Sequence, residues 1–306
     1  MIYTFTLNPA LDRFIVVDRL LMDDTTRVLS ETHYAAGKGI DVSRAIRELG
    51  GQSVAMGLVG GYDGLELEGL LINAGVACQF TKISGETRTN IILKEKASGH
   101  QYVISASGPE IGAAEIGGFF QGIPEIKGAD YLVMSGSLPR GVTPNLYAQL
   151  ILVGRGKGAF VLLDADGDAL RAALAYQPTA IKPNLFELSR LIGKEIKNEG
   201  EIITACDEIH EQGVIYILVS MGKEGLILST REQKIKAVPP PVEVASTVGA
   251  GDSTVAGFVL AHSQGKDLSE CARIGCAAGA AAVITPGTEL CHRNDMEEIL
   301  PRVKTS

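Results

Sequence analysis

The sequence predicts an α/β protein: a mostly parallel sheet with helices on both faces, plus a small β-sheet set apart from it. Three observations carry this reading. From Ala129 onward, short apolar runs alternate with helical patterns, as in parallel strands joined by crossover helices. The loops after those runs collect the polar oddities, as happens where an open sheet carries a site at its C-terminal edge. Two hairpin-like pairs break the alternation, Phe14 to Asp18 with Arg27 to Tyr34, and Thr87 to Lys94 with Gln101 to Ser105. They predict the second sheet, suited to a lid or an oligomer contact.

Bulk composition narrows the function classes. The chain has 306 residues, 45% hydrophobic and 21% charged, enough for a sizeable core. A net charge of −8 argues against broad nucleic-acid or membrane-surface affinity, so an anionic substrate needs a local basic site. Cys78, Cys206, Cys271, Cys276 and Cys291 are scattered without a C-x-x-C, as expected of thiols in a reducing cytoplasm. The N-terminus reads as a strand, without the basic segment of a signal peptide, and the longest apolar run, Ile274 to Ile284, is too short to span a bilayer.

In chain order, Ile2 to Leu7 alternates as a strand and runs into Asn8-Pro9-Ala10-Leu11-Asp12, which puts Asp12 in a turn at the strand's end. Gly37 and Gly39 flank Lys38 and permit close backbone approach to a ligand; a helix starts at Ile40 or Asp41 and ends near Gly50. Lys38 is not followed by Ser or Thr, so this is no P-loop. Ser53 to Val59 is a strand and Leu65 to Asn73 a helix. Strands follow at Tyr131 to Ser135, Phe160 to Asp164, Ala180 to Lys182 and Tyr216 to Ser220, with helices at Asn145 to Val153, Asp168 to Ala175, from Leu185, and at Ile202 to Glu211. Leu226 to Ser229 and Lys234 to Val238 read as antiparallel. Two Ala/Gly-rich helices then close the core, and a last helix, Asp295 to Leu300, is expected to be capped by Asn294.

The strongest chemical feature is Ser246-Thr247-Val248-Gly249-Ala250-Gly251-Asp252-Ser253, followed by an apolar helix. A Gly-Ala-Gly turn opening a helix presents unpaired N–H groups, an anion site suited to phosphate. Asp252 there suggests a base that takes a proton from a hydroxyl while the amides hold phosphoryl oxygens; the plainer role is a helix cap. Asn184 and Glu187, three apart, could share a face and position Mg²⁺, or form a capping pattern. Ser220, Gly222 and Gly225 suit either passage past a nucleotide or an ordinary turn. Arg27, Arg88 and Lys38 are the basic candidates for an anion. The five histidines show no metal-ligand spacing.

These residues resemble the PfkB (ribokinase-like) family of carbohydrate kinases. Ser246 to Gly257 is similar to its C-terminal signature and Ala36 to Ser43 to its N-terminal one. Asn8 to Asp12, Ser135 to Pro139, Lys182-Pro183-Asn184 with Glu187, and Val219 to Gly222 fall in order. The resemblance implies a single ribokinase-like kinase domain over 1–306, with lid strands from about 13–34 and 87–105 that also form a homodimer contact. Within the family, Val238 to Val242 and Gly287 to Cys291 look like 6-phosphofructokinases of the second type, while Ala35 to Gly39 is closer to 1-phosphofructokinases. The expected activity is ATP-dependent phosphorylation of a ketohexose phosphate, with fructose 6-phosphate to fructose 1,6-bisphosphate favoured. 1-Phosphofructokinase and tagatose-6-phosphate kinase are the alternatives, and a non-catalytic binding regulator a more distant one.

Carried over residue by residue, the resemblance implies Asp252 as base and Gly249, Ala250 and Gly251 as anion hole. Asp12 and Asp41 would meet sugar hydroxyls, with Gly37, Lys38 and Gly39 beside them, and Arg27, Arg88 and Ser137 the substrate phosphate. Lys182, Asn184, Glu187, Ser220, Gly222, Gly225 and Thr247 would serve Mg²⁺-ATP. Ser246, Val248, Ala282, Thr285 and Gly287 would surround a monovalent cation such as K⁺. The chain departs from its relatives at Asp41, where the family usually has Asn, at Thr25, where some second-type enzymes carry Lys, and at Glu289, where some carry Arg.

Overall fold

The computed structural model describes residues 1–306. The chain begins with β1 (Ile2–Thr6), β2 (Ala10–Val17), β3 (Val28–Ala36), α1 (Lys38–Glu48), β4 (Val54–Val59), α2 (Gly61–Asn73), β5 (Ala77–Lys82), β6 (Arg88–Glu95) and β7 (Gln101–Ile104). It continues through α3 (Ala113–Gly122), β8 (Tyr131–Ser135), α4 (Asn145–Gly156), β9 (Phe160–Asp164), α5 (Gly167–Leu174), β10 (Ala180–Ile181), α6 (Leu185–Ile192), α7 (Glu199–Glu211), β11 (Tyr216–Ser220), β12 (Leu226–Ser229) and β13 (Lys234–Val238). The last elements are α8 (Ala250–Ser263), α9 (Leu268–Val283), α10 (Arg293–Ile299) and β14 (Lys304–Thr305).

The main sheet has ten strands in the order β14-β13-β12-β11-β10-β9-β8-β1-β4-β5. Its strands from β11 to β5 are parallel; β12, β13 and β14 are antiparallel. Neighbouring residues on one strand feed opposite cores, as a sheet covered on both faces requires. On β8, Leu132 and Met134 join the core with Phe5, Met56 and Tyr147, whereas Val133 joins the one with Val42, Phe258 and Ala277. The second sheet runs β3-β2-β6-β7. Its central pair, β2 and β6, is parallel, with Ala10 opposite Arg88 at one end and Val17 opposite Glu95 at the other.

The predicted class and both predicted hairpins are present. Several details differ. β2 begins at Ala10, so Asp12 lies inside a strand, between Tyr34 and Asn90, and not in a turn. The alternation of Leu11, Arg13 and Ile15 with Asp12, Phe14 and Val16 carries the strand back to Ala10. The sequence reading leaves β5, α3 and β14 unassigned: β5 is an edge strand whose outer side chains are polar, and Gly117 and Gly118 weaken the helical pattern of α3. Asn294 is inside α10, which starts after His292 without a side-chain cap.

α8 and α9 are the most closely packed helices, and their seam is made of small residues. A Cβ added at Gly257 would lie 2.9 Å from Ile274 O and 3.0 Å from Ala278 Cβ; one at Gly279 would lie 2.4 Å from Thr254 Oγ1. Backbone thus packs on backbone, which fixes α8 against the sheet with little freedom to slide. Gly257→Val is expected to destabilise the protein by about 1–3 kcal/mol through overpacking against main-chain atoms that cannot yield. The check is a lowered urea midpoint at unchanged m-value; an unchanged midpoint would show that the seam gives way.

Candidate active site

The start of α8 is an exposed set of donors. Gly249 precedes the helix at φ +76°, a conformation that favours glycine, and a Cβ there would press on the Leu290 side chain at 2.5 Å. Ala250, Gly251 and Asp252 form the first turn, whose N–H groups have no acceptor within the helix. Asp252 is the third helical residue and not the cap. It is 8% exposed, and its carboxyl makes no hydrogen bond to the protein. The ammonium of Lys182 sits over this turn, 3.4 Å from where a Cβ on Gly251 would be.

Burial in this cleft acts on several carboxyls together. Burial is the largest influence on Asp252 and raises its pKa well above the ordinary value; the charges of Asp41 and Asp164 raise it further, against Lys38 and Lys182. Asp41 is pushed up to about 7, again by burial first and by Asp12, while Arg44 pulls it down. The Arg44 guanidinium donates to Asp41 Oδ1 at 3.1 Å and to Ala35 O at 3.1 Å, and lies over the Tyr34 ring at 5.8 Å. Asp41 is therefore ion-paired inside α1, whose first residue follows Gly37; it does not cap the helix. Burial also raises Asp12, although Asn90 Nδ2 donates to its Oδ1 at 2.7 Å.

On the other side of the cleft, Arg88 donates to Asn8 O at 3.0 and 3.2 Å and to Ala106 O at 2.8 Å. Asn8 Nδ2 in turn donates to Ser137 Oγ at 3.2 Å. Arg88 is thus joined to Ser137 through Asn8, and to Asp12 through Ala106, whose N–H donates to Asn90 Oδ1 at 3.1 Å; the sequence assigns no role to Asn8 or Asn90. Asn90 could have been found: it is two residues past Arg88, hence on the same face of β6. Arg27 does not join them. It is exposed and precedes Val28, which pairs with Val17, seven residues along β2 from the Ala10–Arg88 end, roughly 23 Å away. Gly37 and Gly39 serve chain packing: added Cβ atoms would fall 2.7 Å from Thr6 Cγ2 and 2.6 Å from Thr6 Oγ1, at the end of β1.

Asn184 and Glu187 form a reciprocal capping box on α6. Asn184 Oδ1 accepts from Glu187 N, and Glu187 Oε2 from Asn184 N, both at 2.8 Å. That leaves Glu187 Oε1 as the oxygen able to face a hydrated cation; no cluster of three acidic, His or Cys side chains suited to a metal is present. Ser220 bridges to Asn184. Gly222 is open, with nothing within 4 Å of an added Cβ, whereas Gly225 at φ +92° is required because its Cβ would meet Ala237 O at 2.0 Å. Thr247 is exposed beside the turn. Ser246 Oγ donates to Gly287 O at 2.8 Å and accepts from Val248 N at 3.2 Å, and Thr285 Oγ1 donates to Ala282 O at 2.7 Å. Ser246, Val248 and Gly287 thus meet, and so do Ala282 and Thr285, with protein hydroxyls on the carbonyls of Gly287 and Ala282.

Asp164 closes β9, and the sequence reading gives it no role beyond the strand. It is 1% exposed, and its Oδ1 lies 3.5 Å from Lys38 Nζ and 3.4 Å from Lys182 Nζ. Its signal in the sequence is weak: an Asp closing the apolar run Val161-Leu162-Leu163.

The profile of the "pfkB family carbohydrate kinase" matches residues 6–295. ATP-dependent 6-phosphofructokinase isozyme 2 of Escherichia coli is 36% identical over 97% of this chain and 97% of its own length. 1-Phosphofructokinase of Bacillus subtilis is 32% identical over 100% and 99%. Among solved structures, phosphofructokinase-2 from Escherichia coli in complex with potassium superposes with a TM-score of 0.94 at 36% identity, covering 98% of each chain. Ribokinase from Arabidopsis thaliana, at 22% identity, TM-score 0.77 and 98% coverage of each chain, shares the fold.

The raised Asp41 carboxyl has a stability consequence. Between about pH 4 and pH 7 the folded chain holds a proton there that the unfolded chain has lost, so this contribution falls as pH rises through the folded value. Asp41→Asn, which does not titrate, is expected to gain in melting temperature relative to the parent from about pH 5 to pH 8. Parallel melting curves across that range are the check; a constant difference would mean that Asp41 titrates normally.

Proposed function

The chain belongs to the pfkB family of carbohydrate kinases, and from that premise we propose that it transfers the γ-phosphoryl group of ATP to a free primary hydroxyl of a ketohexose phosphate. The observation that carries this reading is Asp252, buried with a raised pKa, beside the unpaired first-turn amides of α8 and under Lys182. Asp252 takes the hydroxyl proton as the sugar oxygen attacks phosphorus. The bond to the bridging oxygen breaks, ADP leaves, and the amides of Ala250, Gly251 and Asp252 hold the equatorial oxygens. Asp12, Asp41 and Asn90 orient the sugar; Arg88 and Ser137 receive its phosphate.

Gly222, Ser220 and Thr247 border the nucleotide. Mg²⁺, which needs few protein ligands when phosphates and water supply the rest, fits Glu187 Oε1 through water and would neutralise phosphate charge. K⁺ fits the carbonyls around Ser246, Val248, Ala282, Thr285 and Gly287. A second copy of the chain fits the small sheet, whose outer strands expose Val28, Leu29, Tyr102, Val103 and Ile104. Arg27 lies at that far end, so any contact it makes with substrate phosphate would be in the second copy's cleft. No helix is long and apolar enough to cross a membrane, and all five cysteines are unpaired, in keeping with a cytoplasmic enzyme.

Fructose 6-phosphate is the favoured acceptor, on the resemblance of Val238 to Val242 and Gly287 to Cys291 to second-type 6-phosphofructokinases; fructose 1-phosphate and tagatose 6-phosphate are the alternatives. The test is ADP release with ATP over these three sugars. Turnover of none of them would sink the kinase reading and favour a binding regulator. Asp41→Asn is expected to change the ranking of kcat/KM among them, because Asn donates as well as accepts whereas an ionised carboxylate only accepts.

Asp252→Asn is expected to lower kcat by about 10²–10⁴ with KM little changed. The parent's activity should fall on acidification at a pH well above about 4, since the base works only when deprotonated and its folded pKa is raised. Turnover of the variant within tenfold of the parent would remove Asp252 as base. Arg88→Ala is expected to raise KM for the sugar phosphate by about tenfold or more and that for ATP far less. Equal effects would move Arg88 out of the sugar site.

A further inference from the structure

Asp164 is the least solvated carboxylate in the cleft and touches no surface. Its Oδ1 faces two ammonium groups, Lys38 Nζ at 3.5 Å and Lys182 Nζ at 3.4 Å, as ion pairs, and neither of its oxygens makes a hydrogen bond. A carboxylate this deep is tolerated only beside compensating charge. The two lysines come from different parts of the molecule. Lys38 opens α1, and its Cβ lies 3.7 Å from a Cβ position on Gly136, next to Ser137 on the sugar side. Lys182 leads into the Asn184–Glu187 turn on the nucleotide side and covers Gly251.

Solvent access divides them. The Lys182 side chain is 4% exposed, that of Lys38 41%, so Lys182 is locked while Lys38 is free to swing into the cleft unless something restrains it. Asp164 is that restraint: it is the largest influence on Lys38 and holds it strongly protonated. The peptide geometry around it is also fixed, because Gly136 N donates to Asp164 O at 3.1 Å and Tyr147 Oη to Gly136 O at 2.8 Å.

We propose that Asp164 is a positioning residue for phosphoryl transfer, holding Lys38 of the acceptor side and Lys182 of the donor side on one oxygen so that the two cations flank the path of the transferred group. This rests on the kinase reading above. Two fixed cations beside the α8 amides oppose the charge that gathers on donor and acceptor oxygens, and they do so without reorganising during the step. Lys38 and Lys182 also offset the field of Asp164 on Asp252, so the same group influences where the base titrates.

The experiment is steady-state kinetics of the parent, Asp164→Asn, Lys38→Met and the double variant across a pH series, with Mg²⁺ varied. Asp164→Asn is expected to lose about 10²-fold in kcat while KM for either substrate moves less than about threefold. The acid limb of kcat/KM should move to lower pH, because one negative charge beside Asp252 is gone and two positive ones are unmasked; a loss of folded protein would lower the amplitude and leave the limb in place. The double variant should lose less than the product of the two single losses. Asp164→Glu, which keeps the charge and displaces it by one methylene, should lose kcat with the limb unmoved, and it decides the matter if the Asn variant does not fold. Parent-like kcat in either Asp164 variant, fully multiplicative losses, or an increased Mg²⁺ requirement with an unmoved limb would each overturn the proposal. A parent that turns over none of the sugars would instead overturn the kinase reading on which it stands.

Discussion

The close contact between α8 and α9 is the constraint from which the cleft follows. An anion site made of backbone N–H groups has no side chains to adjust, so its accuracy is that of the helix carrying it. Gly257, Gly275 and Gly279 let main chain approach main chain, and Ala277, Ala278, Ala280 and Ala281 add no bulk. The result is a helix start fixed relative to the sheet edge where Asp164 ends β9 and Lys182 follows β10. The exposed first-turn amides thus sit on a helix with little freedom to shift.

The second organising factor is a near-balance of buried charge. Asp12, Asp41, Asp164 and Asp252 stand against Lys38, Lys182, Arg44 and Arg88 in one cleft. Three of the carboxylates have a distinct compensation: Asn90 and Arg88 for Asp12, Arg44 for Asp41, two lysines for Asp164. Asp252 has no hydrogen-bonded partner, and that is why burial raises it so far. A carboxylate without a permanent partner keeps its lone pairs free for a ligand.

The small sheet joins the main domain by a polar back face. His33 bonds to Glu31 and to Glu66 of α2, and Thr89 to Asp63 of α2, while Arg13 lies 3.9 Å from both Glu31 and Asp63. Its opposite face carries Asp12 and Asn90. Strand alternation alone divides these roles, since residues of one parity face α2 and those of the other face the cleft. Phe14 reaches the loop of Gly287, 3.7 Å from a Cβ position there, and so ties the sheet to the neighbourhood of the anion site.

What the sequence determined by itself was local. The Gly-Ala-Gly-Asp turn, the Asn184–Glu187 pair, the alternating strands and the Ala/Gly-rich helices are set by backbone conformation and short-range spacing, and each is where its residues put it. The sequence could not choose between a helix cap and a base for Asp252, nor place Asp41 against Arg44, because those depend on which atoms are buried. Tertiary structure decided the rest. Asp164 is joined to Lys38 across 126 residues, Arg88 to Asn8 across 80, and Arg27 is held away from both by strand register. Such pairings depend on how separate segments are laid side by side, and only packing of the whole chain fixes that.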